Sequence, residues 1–139
     1  MAATKDRDTA KDQARLQLAS IVEMVAALRA AEESGDDDAR EAAIQRISES
    51  PLSVEMRDGW YVPGGDHEGP EEYHILLCWG GPACRIVGTL GEHGEPETAN
   101  VEYQDWGTPW TEYDSCGSAA ALAAEDDALL TYAREFFPS

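Results

Sequence analysis

Three cysteines, three histidines and 28 carboxylates are the side chains with which this 139-residue chain could do chemistry. Cys78 and Cys84 flank the run WGGPA, and the nearest histidines are His74 and His93. A tetrahedral zinc site is assembled from short-spaced pairs of the Cys-x-x-Cys or His-x-x-x-His kind, and the chain contains neither. The elements of a deaminase-type zinc centre, His-x-Glu and Pro-Cys-x-x-Cys, are also missing; Pro82, Ala83 and Cys84 only begin the second. No metal and no cofactor are expected, and the cysteines are expected to serve as small buried hydrophobes. A nucleophilic cysteine needs a nearby histidine and positive surroundings to lower its pKa, whereas the sequence around Cys78, Cys84 and Cys116 is short of Lys and Arg. Phosphate cradles are missing as well, since GGPAC and GWYVPGGD lack both the lysine and the following helix.

The carboxylates carry the stronger signal. Residues 95–113, EPETANVEYQDWGTPWTEY, join an alternating run to a loop that holds two tryptophans beside several acids. Presented together, Glu95, Glu97, Glu102, Tyr103, Asp105, Trp106, Trp110, Glu112, Tyr113 and Asp114 would form a partner-binding surface. It would meet a basic groove by charge steering and cation-π stacking. Two blander arrangements use the same letters. Either tryptophan can plug the core while the acids stay hydrated, and Glu102 with Asp105, or Glu112 with Asp114, can act as acid and base in a carbohydrate-active cleft with the tryptophans as a sugar platform. Because no catalytic motif accompanies those carboxylates, the expectation is a protein that is not an enzyme.

Charge sets the broad class of partner. The 28 acidic and 10 basic residues give a formal net charge of −18, which disfavours direct nucleic-acid or anionic-membrane binding and favours basic partners. The imbalance is uneven: residues 1–50 hold 11 acidic and 7 basic side chains, while 58–114 hold 12 acidic residues and a single cation, Arg85. An odd cysteine count does not make a paired framework, so a reducing compartment is expected, and with no apolar run of signal or membrane length the expected location is the cytoplasm.

The elements that must position these groups follow from periodicity. Residues 1–8 are expected to fray. Leu18, Ile21, Val25 and Leu28, widened by Ala14, Val22 and Ala26, predict an amphipathic helix from Thr9 to Glu33, stopped by Ser34 and Gly35. Asp36, Asp37 and Asp38 open a shorter helix striped by Ala39, Ala42, Ala43 and Ile47, which ends before Pro51. Alternation in 52–56, a near-continuous apolar run in 72–79, β-branched residues in 83–90 and alternation in 98–105 predict four strands. The loop PGGDHEGP, 63–70, is expected to be a mobile tip. Ser118 opens a last helix that presents Leu122, Leu129, Tyr132, Ala133 and Phe136. The prediction is one α+β domain over 1–139: a helical pair at 9–49, a four-stranded antiparallel meander within 52–106, and a helix at 118–137 packed on the sheet.

In size, charge and the acidic run VEYQDWGTPWTEYD, the chain resembles the small acidic inhibitors of phages and other mobile elements, the anti-CRISPR and antirestriction DNA mimics. The resemblance lies in composition, with no aligned motif. It implies carboxylates spaced like phosphates, able to occupy the basic channel of a nuclease or other DNA-binding protein. A different class of function is also open: an assembly or regulatory accessory protein whose apolar stripe of residues 14–28 pairs with a second copy, as a homodimer, or with another protein.

Overall fold

The computed structural model describes residues 2–58, 60, 62–65, 69–79, 82–105, 109–114 and 118–137, with side chains from residue 10 onward. Helix α1 spans Ala2–Ser34. It begins well ahead of Thr9 because Ala2, Ala3, Lys5 and Arg7 favour helix and no Gly or Pro interrupts them, so 2–8 join the helix instead of preceding it. Gly35 takes the left-handed position after the last turn, at φ 73°, which a side chain would strain. Asp36 then caps α2 (Asp37–Glu49), its Oδ1 accepting from the Ala39 amide at 3.1 Å. Arg40 reaches Glu32 and Arg46 reaches Glu23, the crossing pattern of an antiparallel helix pair.

Five strands follow: β1 (Ser53–Asp58), β2 (Pro70–Cys78), β3 (Ala83–Thr89), β4 (Asn100–Gln104) and β5 (Thr111–Glu112). They form one antiparallel meander in the order of the chain. The fifth strand corrects the expected four. With two residues it is too short to show a period, and it is defined only by its pairing with β4, Glu102 opposite Glu112 and Tyr103 opposite Thr111. Helix α3 spans Ala119–Arg134, and the Ser118 hydroxyl accepts from the Ala121 amide at 3.1 Å. Ser118→Ala is expected to cost about 1 kcal/mol, seen as a lower urea midpoint with an unchanged slope. An unmoved midpoint would mean that water replaces the cap without loss.

The helices cover one face of the sheet. Val54, Ile75, Ile86 and Val101 lie in one cross-strand row, and the last three are buried in a cluster with Leu18, Ile21, Val25 and Leu28 of α1 and Leu129, Tyr132 and Ala133 of α3. The predicted α1 stripe is therefore correct in its main line, but Val22 and Ala26 are exposed, and Met24 and Ala31 are buried instead. At 3.6 residues per turn, 21, 24, 28 and 31 line up over the core while 22 and 26 fall to its flank. Within the stretch 14–28, through which a homodimer was expected, Leu16 and Val22 remain exposed. Ala14, Leu18, Ile21, Val25 and Leu28 are buried against the chain's own sheet and helices.

Polar ties fix α3 on this core. Its Tyr132 hydroxyl meets Ser50 Oγ at 2.6 Å, at the end of α2, and its Arg134 Nε donates to the Pro96 carbonyl at 3.1 Å.

Candidate functional site

Cross-strand register places charged side chains in rows on the second face of the sheet. Ser53, Leu76, Arg85, Glu102 and Glu112 form one row; Glu55, His74, Val87 and Asn100 form the next; Arg57, Glu72 and Thr89 form a third. Among the described residues, those lining the shallow depression there, about 530 Å³ in volume, all belong to strands. Its ionic groups are already matched across the strands. Arg57 Nη2 lies 2.5 Å from Glu72 Oε2, His74 Nε2 lies 3.1 Å from Glu55 Oε1, and Arg85 Nη2 lies 2.8 Å from Glu102 Oε1. The guanidinium of Arg85 also sits over the Trp110 ring, 4.0 Å from its centroid.

The ten residues expected to act as one surface are thus divided. Glu102 and Trp110 belong to the open face, where Arg85 already engages both. One face of Trp110 is consequently occupied by a cation of the same chain. Tyr103 and Tyr113 are half-buried and pack on the hydrophobic cluster. Glu95 and Glu97 lie in the connection between β3 and β4, where the Glu95 carbonyl accepts from Gly91 and the Glu97 amide donates to Thr89. Asp105 is half-buried at the end of β4. Trp106 lies outside the described residues.

Glu112, at the edge end of the first row, also borders a second neighbourhood together with Tyr113 and Asp114. With Glu125 and Asp126 of α3 they line a groove of about 210 Å³ whose apolar side is formed by Leu18, Val101, Leu122 and Leu129. Among the described residues, no Lys, Arg or His lines it. Nor does any of its four carboxylates have an ion-pair partner among the described residues. Asp127, the next residue on α3, turns instead to Arg29 of α1 at 2.5 Å. The groove combines an apolar wall with a carboxylate rim, which suits the aliphatic stem and cationic head of Arg or Lys.

Several features escaped the sequence reading. Arg85 drew notice only as a lone cation, although it holds both Glu102 and Trp110. Among the described residues, the strongly exposed tryptophans are Trp60, at 104%, and Trp79, at 67%, located beyond opposite ends of the β1 and β2 pair. Trp60 lies beyond β1, which stops at Asp58. Glycine at position 59 was the available signal for that stop. The loop at 63–70 falls partly outside the described residues, as does Cys116.

Cys78 and Cys84 are free thiols, half-buried and buried. Burial pushes both thiols up from their ordinary range, Cys84 to about 12, so thiolate is scarce at neutral pH. No group of three metal-ligating side chains occurs among the described residues, and none of their helices is long and apolar enough to cross a membrane. No protein-family model matches the chain, and neither the curated proteins nor the solved structures gave a match.

Proposed function

We propose that this chain is a non-enzymatic anionic binding protein that seats arginine or lysine side chains of a basic, nucleic-acid-binding partner in the groove between the β4–β5 edge and α3. The single observation that carries this reading is the carboxylate set of Glu112, Asp114, Glu125 and Asp126 around an apolar wall, none of them with an ion-pair partner among the described residues. Carboxylates on the open face of the sheet are less suited to the task, because Glu55, Glu72 and Glu102 each already meet a basic side chain. Net charge of −18 supplies long-range attraction, and the groove supplies a place for it to end. The partner's basic surface is one that otherwise neutralises phosphates, so the chain competes with nucleic acid for it.

The test uses an arginine-rich peptide as ligand, at low and high salt, with duplex DNA as competitor. Neutralising the groove (Glu112→Gln, Asp114→Asn, Glu125→Gln, Asp126→Asn) is expected to weaken binding on the order of tenfold, since each exposed charge contact contributes roughly 0.2–1 kcal/mol. The same loss of charge on the helix pair (Glu33→Gln, Asp37→Asn, Asp38→Asn, Glu41→Gln) should weaken it far less. Equal weakening by the two quartets would reduce the affinity to overall charge and remove the groove from the account.

A further inference from the structure

Cys78 and Cys84 are partners across the β2 and β3 pair, just past a register irregularity between Leu76 and Cys78, at the end of the hairpin that joins these strands. Paired residues in an antiparallel ladder have Cα atoms about 4.5–5.5 Å apart, inside the roughly 4.4–6.8 Å that a disulfide spans. The Cys78 thiol itself faces the turn, 4.0 Å from the Pro82 carbonyl. A reading of both cysteines as inert packing accounts for Cys84, which is fully buried, but leaves the half-buried Cys78 beside it unexplained.

We infer that Cys78 and Cys84 are a closable dithiol, a site of reversible oxidation by low-molecular-weight disulfides such as glutathione disulfide. The more accessible sulfur reacts first. Cys78 thiolate attacks one sulfur of glutathione disulfide, breaks its S–S bond and expels a glutathione thiolate, leaving a mixed disulfide on Cys78. The Cys84 sulfur, as thiolate, then attacks the Cys78 sulfur, expels the second glutathione thiolate and forms the Cys78–Cys84 bond. Two protein thiols are oxidised, one glutathione disulfide is reduced to two glutathiones, and the two thiol protons pass through solvent to the two leaving thiolates. Closure pins the hairpin end that carries the exposed Trp79, next to Tyr103 of β4, which pairs with Cys84. The site is independent of the acidic groove, so it stands or falls separately from the proposed function.

The experiment uses the full chain with Cys116→Ser, which leaves two thiols, equilibrated with glutathione buffers of graded redox poise. Peptide mapping without reductant is expected to find the 78–84 cross-link in folded protein, favoured at least about tenfold over the same chain in urea because the ladder holds the sulfurs together. Closure should also speed up as pH rises, since the attacking form is the thiolate. Cys84→Ser in the same background should stop at the glutathione adduct on Cys78. The inference is overturned if the folded two-thiol protein keeps both thiols or stops at a mixed disulfide. It is equally overturned if the urea-unfolded chain closes as readily as the folded one.

Discussion

Gly88→Ala is expected to lower the stability of the fold by about 2–3 kcal/mol, the upper part of the range for forcing an extra methyl into a packed site. Gly88 lies in β3 opposite Tyr73 of β2. A Cβ built there would run into the Thr98 carbonyl oxygen and would lie 2.8 Å from both the Thr98 carbonyl carbon and Tyr73 Cε1. Neither obstacle is a flexible side-chain end. The Tyr73 hydroxyl donates to that same Thr98 carbonyl at 2.6 Å, and Thr98 Oγ1 accepts from the Thr89 amide at 2.9 Å. Relief therefore requires the backbone at 98 to back away, and with it Ala99 and Val101, which are buried in the core and also line the acidic groove. Urea unfolding measures the effect. Tyr73→Phe, which removes only the hydrogen bond, should cost about 1 kcal/mol by comparison. A Gly88→Ala variant within about 0.5 kcal/mol of the parent would refute the close approach of 98 to β3.

Gly88 also marks where the sequence stops being informative. In the letters it is one glycine in a β-branched run, and nothing local says that Thr98 will lie against it. Local signals fared well. Asp36 and Ser118 cap the helices they were expected to open, and Gly35 ends α1, because capping depends on residues within one turn. The alternation of β1 and the apolar run of β2 likewise placed their strands. The apolar run at 72–79 would suit a strand covered on both faces, yet Tyr73, Ile75 and Leu77 are buried while His74 and Leu76 are only half-buried on the helix-free face. A near-continuous apolar run does not by itself distinguish two covering layers from one layer plus cross-strand neighbours.

The candidate site was less legible than the fold for a related reason. Composition says that acids and aromatics are abundant between 95 and 114, but register decides which of them already have partners. Glu102 faces Arg85 only because β3 and β4 pair with those residues opposite. Glu112 and Asp114 acquire Glu125 and Asp126 as neighbours only because α3 packs beside the sheet edge. Tyr103 and Tyr113 turn to the core by the strand period of two, which a count of ring side chains ignores. The segment around which the surface was expected is thus real as a cluster in sequence but split in space by the sheet itself.

Arg85→Met is expected to destabilise the protein by about 1–3 kcal/mol and to move Trp110 into a more polar setting. The guanidinium holds three things at once: the Glu102 carboxylate, the Trp110 ring and, through them, the short strand β5. Glu102 stands directly opposite Glu112, a like-charge pairing that disfavours the ladder unless a cation screens it. The Arg85 and Glu102 side chains are only 24% and 22% exposed, so removing one partner strands the other in a poorly hydrated place. The expected loss stays below the 3–5 kcal/mol typical of fully buried pairs because some water remains. Arg85→Met with Glu102→Gln should recover part of the loss, since the stranded charge and its repulsion from Glu112 vanish together; the cycle isolates the pair. Fluorescence read against a Trp110→Phe reference should show a red shift assignable to Trp110. Although Arg85 is on the face away from the helices, the variant should also weaken peptide binding in the groove, because β5 carries Glu112 and leads into Asp114. If Arg85→Met leaves stability, Trp110 emission and binding unchanged, the guanidinium is ornamental and β5 is held by its backbone pairing alone.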